Sequence, residues 1–121
     1  MTLDLADVPS ELRNAVAATL EAAGVGDGHL SLELVDAERI RELNREHRGV
    51  NRATDVLAFP IDATAPPDGP RELGDVVVCP QECNDLREAV VHGVLHLCGF
   101  DHEVDGGEML ALQARAMASL K

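Results

Sequence analysis

Three histidines fall within residues 92–102, HGVLHLCGFDH, spaced H-x3-H-x5-H with Gly99 between the second and third. On a helix, His92 and His96 project from one face a turn apart. Gly99 is the residue type that ends a helix, because it tolerates the left-handed conformation just past the last turn. The chain can then turn back and bring His102 against the other two. A single histidine on an apolar helix is more often a hydrogen-bonded core residue than a ligand. Here three of the five histidines of the chain share one short run with a helix stop correctly placed. Three imidazoles with a fourth position left open is the ligand pattern of a catalytic zinc; structural zinc sites are closed by four.

The same spacing, glycine included, occurs in the zinc-protease motif H-E-x-x-H-x-x-G-x-x-H. The general-base glutamate of that motif would stand at position 93, where this chain has Gly93. A protease mechanism of that kind is therefore poorly supported. A deaminase is also disfavoured, because no H-x-E…P-C-x-x-C pattern is present.

At 121 residues and 45% apolar the chain can build one core. Phe59 and Phe100 are the only aromatics besides histidine. The core must be aliphatic, and base-stacking platforms have little raw material. Three cysteines, Cys79, Cys83 and Cys98, are an odd number without scaffold spacing and are expected as reduced thiols. Cys79 and Cys83 could ligate a second metal, but without a partner pair, buried or half-buried thiols are the better expectation. The polar, acidic N-terminus has no apolar signal region, and no apolar run is long enough to span a membrane. A cytoplasmic location follows as the expectation.

The net charge of −12 argues against indiscriminate nucleic-acid binding. Five of the ten basic residues nevertheless lie in residues 39–52: Arg39, Arg41, Arg45, Arg48 and Arg52. With Glu42 and Glu46 that segment carries +3, and the remainder −15. For Arg39, Arg41 and Arg45 a solvated helix face, compensated by Glu42, is the better reading.

Periodicity predicts a helix over Pro9–Ala23 closed by Gly24, and an alternating strand over Leu30–Val35. Asp36 should cap a helix whose inner face carries Ile40 and Leu43. A loop over Gly49–Ala53 leads to a short strand, Val56–Phe59. Asp62–Pro70, with three prolines, should be a mobile loop. Val76–Cys79 reads as a central strand, Gln81–Leu97 as the largely buried metal helix, and Gly106–Ser119 as a last helix. Only Thr2–Leu5 is available for a first strand. The fold class is α+β: residues 1–121 form a single domain, with a small mixed β-sheet flanked by helices and a metal-binding helix ending in a glycine turn.

The run HGVLHLCGFDH resembles the signature of the YbeY family of bacterial endoribonucleases. LNREHRGVNRATDVLAFP (Leu43–Pro60), LGDVVVCP (Leu73–Pro80) and GGEMLALQ (Gly106–Gln113) resemble further blocks of that family in the same order. The resemblance implies one zinc per chain held by His92, His96 and His102. It also implies a functionally important arginine at Arg48, so that Arg48 and His92 are the catalytic candidates. The implied activity is zinc-dependent, single-strand-specific cleavage of RNA in 16S rRNA 3′-end maturation and ribosome quality control. The implied partners are single-stranded RNA, an rRNA precursor, and the ribosomal small subunit or its proteins; neither membrane nor DNA is expected. The alternative is a metal-stabilised ribosome-assembly factor with little catalysis. Where the family usually has an aromatic, a lysine and a proline, this chain has His47, Val50 and Ala53. The 16 residues between Asp75 and His92 are also fewer than expected.

Three neutral imidazoles leave a metal its full charge, which favours ionising water and polarising a phosphoryl oxygen. Arg48 can offer a two-pronged donor to phosphate; its structural alternative is an ion pair with a strand-end aspartate, in a loop after the helix. Asp55, Asp75 and Asp101 are candidates to accept the second N–H of a ligating histidine, or to serve as caps and turn residues. Asp101 is close enough to the ligands for a proton-transfer role as well.

Overall fold

A computed structural model describes residues 2–4, 8–26, 28–60, 72–100 and 106–120. The elements are β1 (Thr2–Asp4), α1 (Ser10–Ala23), β2 (His29–Leu34), α2 (Ala37–Arg48), β3 (Val56–Pro60), β4 (Glu72–Val78), a 3-10 turn (Pro80–Glu82), α3 (Leu86–Leu97) and α4 (Glu108–Ser119). The expected loop Asp62–Pro70 lies outside the described residues, as do Asp101 and His102.

The sheet is mixed, in the order β1-β2-β4-β3. β1 and β2 run parallel, as do β2 and β4, and β3 is antiparallel to β4. Thr2–Asp4 thus does form a strand, though of only three residues. Val76–Val78 is central as expected, and the strand extends back to Glu72.

Strand alternation sorts the core into two layers. From β4, Val76 and Val78 face a large cluster with Leu12, Val16, Leu30, Leu32, Val90, Val94 and Met109, filled by α1, α3 and α4. Val77 and Cys79 face the opposite layer, where α2 supplies Ile40 and β3 supplies Leu57. Three helices therefore cover one face of the sheet and α2 covers the other. At the β3 edge, residues from both layers come within reach of one another.

The ends of the helices follow their capping residues. The Asp36 carboxylate accepts the Arg39 amide N–H at 2.8 Å, capping α2 as the sequence suggests. α2 runs through Arg48, so Arg48 closes the helix and is not in the loop after it. Within α2, Glu42 pairs with Arg39 at 3.3 Å, one turn back, and not with Arg41 or Arg45. α3 begins later than the apolar pattern implies. Pro80 opens a separate 3-10 turn, and Asp85 caps α3 by accepting the Glu88 N–H at 3.2 Å. The signal was the D-x-x-E spacing of Asp85 and Glu88.

Candidate active site

α3 packs with Ala89, Val90, Val91, Gly93, Val94, Leu95 and Leu97 buried. His92 and His96 are half-buried and lie on a stripe with Glu88 at four-residue spacing. Their Nε2 atoms are 3.2 Å apart, and the rings meet edge-on with centroids at 4.8 Å. Two nitrogens at zinc–nitrogen bond length on a tetrahedral ion would be about 3.3 Å apart. The pair is therefore spaced for a shared ion. His102 lies outside the described residues. Among the described residues no group of three or more His, Cys, Asp or Glu side chains could hold a metal.

The turn after α3 is the one the sequence suggested. Gly99 has φ +95°; its N–H reaches the His96 carbonyl at 3.1 Å, and the Phe100 N–H reaches the Leu95 carbonyl at 3.1 Å. These two bonds form a Schellman motif. It reverses the chain directly after His96, while Phe100 packs back on the large core cluster.

Gly93 has a packing reason to be glycine. A Cβ there would come within 2.8 Å of Val76 Cγ1 and 2.9 Å of Val56 Cγ2. The helix lies directly against β3 and β4, and no glutamate fits at the position where a zinc protease carries its base.

His92 and His96 line an open cleft of about 930 Å³. One side is α3, with Asp85, Glu88, His92 and His96; another is β3, with Val56, Ala58 and Pro60. Arg48 comes round the β3 edge from the far side of the sheet and lines the same cleft. It is exposed and makes no ion pair among the described residues. The structural ion pair considered for it is thus not formed there. Asn44, one turn earlier, is buried, and its side-chain NH2 donates to the Arg52 carbonyl at 2.9 Å. That bond ties the loop after α2 to the helix end that carries Arg48.

The aspartates have other partners. Asp55 accepts from the Val56 N–H at 2.8 Å at the start of β3, and lines the cleft. Asp75 accepts from the Ser31 hydroxyl on the exposed part of the sheet. The partner of His92 Nδ1 is Gln113 of α4, with Oε1 at 3.0 Å. Sequence reasoning missed both Gln113 and Asn44. Cys79, Cys83 and Cys98 are free thiols. Burial, followed by the nearby Asp55 carboxylate, pushes the Cys83 thiol up from 9.0 to about 11.

A family model described as Endoribonuclease YbeY matches residues 2–121. A Salinispora tropica protein with the same description is 39% identical, the alignment covering 94% of this chain and 89% of that protein. One from Anaeromyxobacter dehalogenans is 41% identical over 95% of this chain, which spans 62% of its length. The solution structure of TM1509 from Thermotoga maritima superposes with a TM-score of 0.61 at 27% identity, covering 98% of this chain and 89% of that one.

Proposed function

The chain belongs to the YbeY endoribonuclease family, and on that premise we propose that it is a zinc-dependent nuclease cutting single-stranded RNA in the cleft between α3 and β3. The observation that carries this reading is the shared cleft, with two converging imidazoles on one wall and the Arg48 guanidinium entering from another. His92 and His96, with His102 after the Gly99 turn, are the residues that would hold one zinc ion. Neutral nitrogen donors at this spacing suit that ion. Zinc supplies a concentrated positive charge that polarises a phosphoryl oxygen and makes water more acidic.

The roles of the chain's own groups follow from their places. Arg48 offers two parallel N–H donors to a phosphate and offsets charge developing on its oxygens. It stands ready to do so because no carboxylate among the described residues pairs with it. The apolar side chains of Val56 and Ala58 give the cleft an apolar wall on the β3 side. Gly93 offers no base, and Asp101, two residues after Gly99 in the sequence, is the candidate for proton transfer.

The substrate in this reading is the 3′ end of precursor 16S rRNA, met on the small subunit or its proteins in the cytoplasm, with a role in ribosome quality control. No helix among the described residues is long and apolar enough to cross a membrane. A second reading, a metal-stabilised assembly factor, is favoured by one observation. Asp55, Glu82, Asp85 and Glu88 share the cleft with Arg48 and oppose a polyanion. The experiment that separates the two is metal analysis combined with cleavage of a labelled single-stranded RNA, comparing wild type with His92→Ala. Zinc-dependent cleavage lost in the variant supports the nuclease. Binding of rRNA or a small-subunit protein without cleavage supports the assembly factor.

A further inference from the structure

α4 presents a stripe of Met109, Gln113 and Ala116 toward the body of the protein. Met109 and Ala116 are fully buried, and Gln113 between them is half-buried. A long polar side chain on such a stripe needs a hydrogen-bond partner, because an unpaired amide in an apolar layer is costly. Its partner is a ring nitrogen of α3: Gln113 Oε1 stands 3.0 Å from His92 Nδ1.

The chemistry of that contact has a direction. An amide oxygen only accepts, so with Oε1 of Gln113 facing the ring, as here, His92 Nδ1 carries the proton. The lone pair of the ring is then on Nε2, the atom that faces His96 Nε2 at 3.2 Å. An unconstrained imidazole in water favours the opposite form, with the proton on Nε2. That form has no lone pair to offer on the cleft side. We propose that Gln113 is a positioning residue that holds His92 in the Nδ1–H form and in its ring orientation, and so prepares Nε2 as a ligand. The part of this that concerns metal rests on the zinc reading above; the tautomer does not. Carboxylates or carbonyls usually supply this contact to a ligating histidine. Here a neutral amide from a separate helix supplies it, so the docking of α4 on α3 becomes part of ligand preparation.

The test uses the full chain after chelator treatment. Long-range ¹H–¹⁵N correlation spectra of the imidazoles report the tautomer of His92 without any metal. Wild type is expected to show a pyrrole-type Nδ1 and a pyridine-type Nε2. Gln113→Met keeps the length and removes the strong acceptor, and should shift His92 toward the Nε2–H form. Gln113→Glu keeps an acceptor and should retain Nδ1–H. In a second arm, zinc is titrated against a chromophoric chelator. Gln113→Met should bind about 10–100-fold more weakly, whereas Gln113→Glu should bind at least as tightly as wild type. Far-UV circular dichroism checks that each variant is folded. An Nε2–H tautomer in wild type, or an unchanged tautomer in Gln113→Met, overturns the proposal. A wild type that shows the Nδ1–H form but takes up no zinc leaves Gln113 as the orienting group and removes the metal centre.

Discussion

Replacing Gly93 by alanine puts one methyl group where the structure has no room. The new Cβ would sit 2.8 Å from Val76 Cγ1 and 2.9 Å from Val56 Cγ2. Neither valine can yield by bending a long flexible chain, because both are β-branched and fixed at χ1. The helix must lift from the sheet or the strands must move, at an overpacking cost of about 1–3 kcal/mol. Against this, alanine is better than glycine inside a helix by about 0.8–1.0 kcal/mol. The expected result is net destabilisation of about 0–2 kcal/mol, or a fall in melting temperature of up to about 10 °C for a domain of this size. Urea unfolding of chelator-treated protein measures it free of metal. The control is Val76→Ala, which removes the nearer valine methyl. In that background the Gly93→Ala penalty should shrink, because the two substitutions touch the same space. The site should also suffer, since His92 adjoins Gly93 and moves with α3. If Gly93→Ala is more stable than wild type, and Val76→Ala leaves its effect unchanged, the close approach of α3 to β4 is wrong.

Other expectations follow from single contacts. If Arg48 grips phosphate in the transition state, Arg48→Lys should harm RNA cleavage nearly as much as Arg48→Ala, because an ammonium loses the fork. A fall of about a hundred- to a thousandfold at matched zinc content, or about 2.7–4 kcal/mol, is the scale for one such contact; unchanged cleavage in Arg48→Ala removes it from the mechanism. Cys83, with its thiol held up near 11 by burial and then by Asp55, should alkylate slowly at pH 8 in the native state and faster as pH approaches 11. Because its folded value is raised, the stability linked to it is complete below about 9.0 and is lost as pH rises through about 11. Mass spectrometry of the Cys83 peptide and an alkaline unfolding series test both statements. Asp85→Ala should cost about 1 kcal/mol by leaving the first turn of α3 uncapped; an unchanged urea midpoint would show that the cap contributes nothing.

The helix α3, with its two histidines, was readable because its information is local. Spacing puts His92 and His96 on one stripe, and a glycine at position 99 ends the helix with the hydrogen bonds its position requires. Asp36 likewise capped α2 as expected, and the alternation of Leu30–Val35 together with the continuous β-branched run Val76–Cys79 placed two strands of the sheet. The start of α3 was misread because hydrophobic periodicity says nothing about Pro80, which opens its own short turn, or about Asp85, which provides the real cap. Arg48 was found by charge and family resemblance. That it reaches the cleft depends on α2 ending beside the edge strand, a relation between elements far apart in sequence. Gln113 was invisible for the same reason. A glutamine among Met109 and Ala116 looks like an ordinary imperfection of an amphipathic helix until α3 is set against it. Aspartates were the natural sequence candidates for that contact, yet Asp55 and Asp75 serve a strand start and a serine hydroxyl.

The walls of the cleft also bear on which RNA molecules the protein would meet. Among the described residues that line it, Arg48 is the only cation, beside Asp55, Glu82, Asp85 and Glu88. Each phosphate neutralised on a single strand contributes only about −0.7 to the slope of log affinity against log salt. One arginine therefore confers a shallow salt dependence, and the −12 body repels RNA that approaches from elsewhere. Apart from a bound metal ion, the described walls of the cleft gather little bulk RNA by charge alone. Attraction to the backbone at these walls therefore discriminates little among strands, and a strand end presented by a bound partner would gain most from such a cleft.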